Sequence, residues 1–556
     1  MKKVHLVLFS LLMYIIILIY IVNRPLFSYA KGDNVLSAIP LMHWVLLMVN
    51  SVILVGIIYY INTSKYIVSL SGLLYGLLFY ITNLYFVIPY EQTDIWPSAT
   101  LEFMLFSGKI THEALATHSL SYLSYPISFI FETVLMLVGG IGKISIYTVG
   151  LFIFMGALYI GLIYYYSNLG KDIKFAVISL MTYIILSFYV INDQVAPQTF
   201  ALIFLPYLYK VTFDFIEKGQ KLKKFLILTI FWFALVFTHP FMFLFYILPV
   251  GGIVLYYQFF SHEKRLRTST LGLLVSIWGL GFIWSFYNLL SIPLRVFIKR
   301  WGEVEGETWW IFARFFRKSA TFGPIKYTPH PHYELIPRWI VETQAWVLRV
   351  LLILLLIMAT YGFLSQLRKD FNTHTFPVQR VFDISILVFS GVLFIIGLLT
   401  TFLGQRTFQV AFIPFSKYAI KERARKVVVY TIMGIMMIAP TLFTINILIN
   451  STVDSPMNIR ELHTLNTGAF LDYSIPDEHS YVFLGTNELF PIKGRKYTAI
   501  TWIRVGKFSV SKFEFILWSK KVELTVEYYG VEELFSNEIK KRNAIYNDRF
   551  IRVYWR

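Results

Sequence analysis

Apolar stretches of about 20 residues recur along the whole chain, and each is long enough to cross a ~30 Å hydrocarbon core. The clear ones are residues 4–22, 40–61, 66–88, 146–166, 175–191, 271–292, 343–364, 381–403 and 427–449. The run 225–260 is too long for one pass. His239-Pro240 near its middle supplies a turn that gives two short ones. Residues 197–213 and 405–418 are shorter still, and membrane folds accept such helices where they line an aqueous cavity. The sum is about thirteen spans. Composition agrees: hydrophobic residues make up 57% and charged residues 15%, against about 25% charged in soluble chains, and the mean hydropathy is +0.62. A soluble enzyme, a disordered tail and a collagen-like fibre are excluded. The absence of cysteine removes disulfides, iron–sulfur clusters, thiolate zinc sites and a cysteine nucleophile.

The charges set the expected topology. Basic clusters stand at Lys2/Lys3, Lys171/Lys174, Lys218–Lys224, Lys264–Arg267, Arg368/Lys369 and Lys417–Lys426. All six fall on one side, the cytoplasmic one by the positive-inside rule, if residues 126–140 do not cross. That segment is only about 15 residues long, short of a span, and carries Glu132, so it reads as a juxtamembrane or re-entrant helix on the outer side. No small-residue cleavage site follows the first apolar run, which reads as a retained span. The amino terminus is then cytoplasmic. Large outer loops are expected at 89–145 and 293–342, with the transmembrane domain at 1–449. The tail 450–556 contains strand-like runs such as SYVFLGT, KVELTVEYYG and RFIRVYWR between turn residues and reads as a small extracytoplasmic α/β domain. The net charge of +18 reports topology and contact with membrane lipids. Without an RNP-type motif or a separate basic domain it does not point to nucleic acid.

The first outer loop opens with YEQTDIWPSATLEF. Glu91 and Asp94 sit there just outside a span, three apart. An acid at that position can deprotonate an incoming hydroxyl or help hold a divalent cation such as Mg or Mn. Asp94 also suits the cap of a helix with Pro97 in its first turn, and the two roles are compatible. His112, Glu113 and His118, and the His330-Pro331-His332 triplet, read more simply as solvated loop residues. Between Pro293 and Glu342 stand eight basic and five acidic residues. The basic ones include Arg314 and Arg317 beside Trp309-Trp310. Basic residues on the outer side suit either a phosphate-bearing ligand or anchoring to lipid headgroups. Arg406 in GQRTFQVAFIPF is the sharpest charge in a span. It suits an anionic headgroup or snorkelling to the nearby interface. Asp193, Gln198 and His239 lie at outer span ends and are candidates to line the same cavity. There is no GxxxxGK(S/T) loop, no GxGxxG opening a helix after a strand and no HExxH. A nucleotide cofactor is therefore not expected, and activated groups must arrive from the membrane or from an ion gradient.

With these residues in view the chain resembles the GT-C class of integral membrane glycosyltransferases. The acidic position soon after the first outer loop leaves the membrane is matched by Asp94 in EQTDIW, with Glu91 beside it. Tyr125-Pro126 in SYLSYPISF matches the entry to a juxtamembrane helix. More closely, the chain looks like multi-span membrane proteins common in archaea, through Pro197-Gln198, His239-Pro240 and the run IYNDRFIRVY. It lacks the WWDYG motif of oligosaccharyltransferases and the paired Asp-Glu of protein O-mannosyltransferases. The resemblance implies a polyprenyl-phosphate-linked sugar donor and a glycan, lipid or protein acceptor at the outer face. Asp94 would be base or cation ligand, and Arg406, with Arg314 and Arg317, would receive the donor phosphate. Two other classes fit parts of the pattern: a transporter or flippase for a lipid-linked or anionic substrate, and a non-catalytic subunit of a surface-glycan complex. Turnover by the purified chain separates them.

Overall fold

The computed structural model describes residues 41–60, 65–84, 127–139, 143–170, 172–187, 197–217, 222–239, 242–260, 338–373, 376–400 and 404–419. It also describes parts of 12–20 and of 275–284, residue 434, and in the tail 481–483, 496–497, 515–519, 532–547 and 551–555. These residues are mostly helical. Eleven helices are labelled here: α1 Leu41–Tyr60, α2 Lys65–Leu84, α3 Ile127–Gly139, α4 Lys143–Gly170, α5 Ile173–Ser187, α6 Pro197–Glu217, α7 Leu222–Val236, α8 Leu244–Leu255, α9 Arg338–Asn372, α10 Val378–Thr400 and α11 Gly404–Phe415. A π turn, Tyr256–Phe260, ends α8, and a 3-10 turn, Ser416–Ala419, follows α11.

Among the described residues, four stretches are long and apolar enough to cross a membrane: Leu41–Ile58, Gln198–Ile216, Leu352–Asn372 and Val378–Ile395. Shorter apolar helices accompany them at Lys65–Phe79, Ile153–Ser167, Ile173–Ser187 and Leu244–Phe259. This is the arrangement of a helical membrane protein. The expected spans at 4–22, 271–292 and 427–449 lie wholly or largely outside the described residues. The long apolar run breaks where proline follows histidine: α7 stops at Val236, and α8 starts at Leu244.

The reason for the arrangement lies in α5. Every residue from Ala176 to Ser187 is buried, as expected of a helix apolar all round at the centre of a bundle. Two of its hydroxyls turn back on its own turns, Thr182 donating to the Ile178 carbonyl at 3.0 Å and Ser187 to that of Tyr183 at 2.6 Å. α2, α4 and the 3-10 turn pack round it. Close approach to α2 depends on Gly72, where an added Cβ would stand 2.7 Å from the Val177 side chain. α6 and α8 keep internal prolines, Pro206 and Pro249, which neighbouring helices make tolerable in a membrane bundle.

The helix ends sort into two groups. At one end, Tyr166 near the close of α4 donates to the Ile413 carbonyl of α11 at 2.6 Å. Arg380 at the start of α10 reaches Asp370 at the end of α9 at 2.7 Å. Tyr256, at the end of α8, meets Phe376 between α9 and α10 with ring centroids 6.1 Å apart. Lys224 on α7 donates to the Asp214 carbonyl of α6 at 2.8 Å. The helix ends that converge here flank the basic clusters noted in the sequence at 171–174, 218–224, 264–267, 368–369 and 417–426. At the opposite end, Ile127 of α3 donates its N–H to the Phe237 carbonyl beyond α7 at 3.3 Å. The Phe131 ring packs there against Phe154 of α4 and Phe200 of α6, at 5.7 and 5.2 Å.

In the tail, five strands form one sheet: β1 Tyr481–Phe483, β2 Lys496–Tyr497, β3 Phe515–Ser519, β4 Asn543–Asn547 and β5 Ile551–Trp555. The order is β2-β1-β3-β5-β4. β1 is parallel to β2 and β3, and β5 is antiparallel to β3 and β4. A last helix, α12 at Glu532–Ile539, precedes β4.

Candidate functional site

α2 ends at Leu84 and α3 begins at Ile127. The connection between them carries Glu91 and Asp94, which lie outside the described residues, as do Asp193, Arg314 and Arg317. Arg406 is in the first turn of α11, with its side chain outside the described set. Gln198 and His239 are described. Gln198 is the second residue of α6 and 7% exposed, and His239 follows α7 and is 6% exposed. Both belong to the end of the bundle where α3 meets α6 and α7. Pro197 opens α6 in the position where its missing N–H costs nothing. Thr199 is buried beside Gln198, and Ser128 is buried in the first turn of α3. Among the described residues no group of three or more His, Asp and Glu could hold a metal ion.

The opposite end holds a second polar centre, built around Asp383 of α10. Asp383 is fully buried, and Lys417 on the 3-10 turn is 5% exposed. The Lys417 ammonium stands 2.5 Å from the Asp383 carboxylate as an ion pair, off the alignment of a hydrogen bond. The Tyr418 hydroxyl donates to the same carboxylate and accepts from the Arg380 guanidinium. The Tyr165 hydroxyl donates to the other carboxylate oxygen at 3.4 Å. Arg380 in turn grips Asp370, and its guanidinium lies 4.8 Å from the centre of the Tyr418 ring. Next to this network the Tyr166 hydroxyl meets Ser416 Oγ at 2.6 Å. The geometry requires α9 to come close. At Gly362 of α9 the Tyr418 carbonyl occupies the place a Cβ would take.

Two carboxylates face two cations here, so the centre is neutral and satisfies its own charges. Such a cluster needs no charged ligand. It ties α4, α9, α10 and the segment after α11 into one end plate. Asp383 was the residue the sequence reading missed. Its signal was present, a lone acid five residues into the apolar run VQRVFDISILVF, and an acid inside a span is functional or paired by default. Lys417 opens the basic cluster 417–426 of the sequence, and the chain turns it inward to meet that acid.

A further buried pair lies nearby: Lys210 and Asp214 one turn apart on α6, with the Lys210 ammonium 5.1 Å from the Tyr164 ring centre. Comparison with known proteins gives no match, either to a family model or to a curated protein sequence.

Proposed function

We propose that this chain is an integral membrane glycosyltransferase of the GT-C type, moving a sugar from a polyprenyl-phosphate-linked donor to an acceptor hydroxyl at the outer face. One observation carries the reading: the helix ends are segregated. The ends that flank the basic clusters converge on the Asp383 centre. The connection bearing Asp94 leaves α2 at the other end, where α3 and the buried Gln198, Thr199 and His239 are found. Applied to this polarity, the positive-inside rule makes the Asp383 end cytoplasmic and the Asp94 end external. On this reading the chain has about thirteen spans, a cytoplasmic amino terminus and an extracytoplasmic tail.

In the proposed reaction Asp94 accepts the proton of the acceptor hydroxyl as its oxygen attacks the anomeric carbon. The bond from that carbon to the donor phosphate breaks, and polyprenyl phosphate leaves with the charge. Arg406, with Arg314 and Arg317, stabilises that phosphate. A single displacement inverts the anomeric centre. Glu91 and Asp94 are the residues that would hold a divalent cation, and such a cation would supply further stabilisation to the leaving phosphate.

A second reading, a transporter or flippase for a lipid-linked substrate, draws on one observation of its own: Asp383 and Lys417 are charges buried within the helical bundle, a common mark of transport pathways. Purified protein in liposomes separates the two readings. It is given a panel of polyprenyl-phosphate and polyprenyl-diphosphate sugars together with glycoside, lipid and peptide acceptors. Release of the carrier lipid supports transfer. Movement of intact donor between leaflets without release supports transport, and neither activity leaves the chain as a non-catalytic subunit.

A further inference from the structure

Among the described residues, three buried polar atoms at the α3–α6 junction have no hydrogen-bond partner: Ser128 Oγ, Gln198 Oε1 and Thr199 Oγ1. Their residues are 0%, 7% and 6% exposed. The segments that carry them are packed together. Ser128 is one helical turn before Phe131, whose ring lies 5.2 Å from that of Phe200, the residue after Thr199. The backbone of Ile127, next to Ser128, is tied to Phe237 by its N–H. Buried polar groups nearly always find partners, so three unmet ones on two helices packed together need a cause.

The chemistry of the three atoms limits the cause. Gln198 Oε1 can only accept, and an anion would meet it unfavourably. The two hydroxyls both donate and accept. Around Gln198 and Thr199 the first N–H groups of α6 have no partner within their helix, because no turn precedes them. Donors and acceptors interleaved in this way match ligand hydroxyls, which also do both. Beside them pack buried aromatic rings: the Phe200 ring lies 4.7 Å from Phe154 and 5.3 Å from Phe204. Hydroxyls on one edge and apolar C–H faces on the other describe a sugar ring.

We propose that Ser128, Gln198 and Thr199 form a hydroxyl-binding subsite for a sugar, which rests on the glycosyltransferase reading for the source of that sugar. The subsite selects among sugars by the positions of their hydroxyls, while Asp94 and Arg406 act on the bonds that change. The same chemistry serves the sugar of a donor lipid or of an acceptor, and the test distinguishes them.

The parent protein in nanodiscs, Gln198→Leu, Thr199→Val and the double variant are each titrated with four probes. Two are octyl glucoside and octyl mannoside below their micelle concentrations. The others are polyprenyl-phosphate glucose and polyprenyl-phosphate mannose. The parent is expected to bind at least one probe, and each single substitution to weaken it about threefold to tenfold, one hydrogen bond's worth. Thermal unfolding is followed on the same samples. Removing a group that has no partner is expected to leave the midpoint unchanged or to raise it, a result that residues with a purely structural role would not give. Weakening seen only with the phosphate-bearing probes assigns the subsite to the donor sugar. Weakening with the octyl glycosides assigns it to the acceptor. Variants that bind every probe like the parent overturn the proposal, as does a parent that binds none or a midpoint that falls by several degrees. Carrier release is scored separately. Variant-sensitive glycoside binding without release from any donor keeps the subsite and removes the transferase reading; release without variant-sensitive binding does the reverse.

Discussion

Replacing Asp383 with Asn tests the buried charge centre most sharply. The substitution keeps the size of the side chain and removes one charge. In the parent, that carboxylate is the ion-pair partner of Lys417 at 2.5 Å and the acceptor for Tyr418 and Tyr165. The side chains of Lys417 and Asp383 are 4% and 0% exposed, so water cannot replace the lost partner. Breaking a buried pair by removing one member costs about 3–5 kcal/mol, because the remaining charge is left uncompensated. The tyrosine hydroxyls soften the loss little, since an amide oxygen accepts from them less strongly than a carboxylate. Asp383→Asn should therefore be destabilised by about 3–5 kcal/mol in equilibrium unfolding in mixed micelles. Asp383→Leu combined with Lys417→Met removes both charges and should recover most of that loss, since well-packed apolar replacements of buried ion pairs are often neutral or stabilising. Unfolding of Asp383→Asn within about 1 kcal/mol of the parent, far below the cost of a broken buried pair, would show that Asp383 and Lys417 do not depend on each other as a buried ion pair. A double variant as unstable as the single would show the same.

Three further outcomes follow from the same contacts. Gly362→Ala sets a methyl group against the Tyr418 carbonyl and should cost about 1–3 kcal/mol by overpacking, read as a lower unfolding midpoint, even though alanine favours the helix. Tyr166→Phe deletes the hydroxyl that meets the Ile413 carbonyl and Ser416 and should cost about 1–2 kcal/mol, measured in the same unfolding experiment; no loss would mean that this end of α11 is held by packing alone. The chain contains no cysteine, so single cysteines report sidedness without a background. In sealed right-side-out vesicles, an impermeant maleimide should label Gln92→Cys and leave Gln220→Cys unlabelled until the membrane is opened.

Much of the helical plan was legible because it depends on local sequence. Uninterrupted apolar runs announced α1, α2, α4 and α10, and His239-Pro240 announced the break between α7 and α8. Proline followed by a polar pair marked the start of α6 at Pro197. The Asp383 centre was not legible in the same way. Its members are Tyr165, Asp370, Arg380, Asp383, Lys417 and Tyr418, and only the packing of α4, α9, α10 and the 3-10 turn brings them together. Gln198 was picked out in the sequence as a polar residue at a span end. That its carbonyl oxygen is buried and unmet, along with Thr199 and Ser128, depends on α3 folding back over α6, which no local pattern encodes. The proposed catalytic residue Asp94 was read from its place after a span and from resemblance, and these belong to the sequence alone.

In the proposed function one end of the molecule holds it together and the other carries the transfer, and Asp94→Asn tests that division most directly. Carrier release from polyprenyl-phosphate sugars and equilibrium unfolding are measured on the same preparation. Release is expected to fall about a hundredfold to ten-thousandfold, as for loss of a general base, while stability stays at the parent value. Undiminished release by a folded Asp94→Asn protein would contradict it.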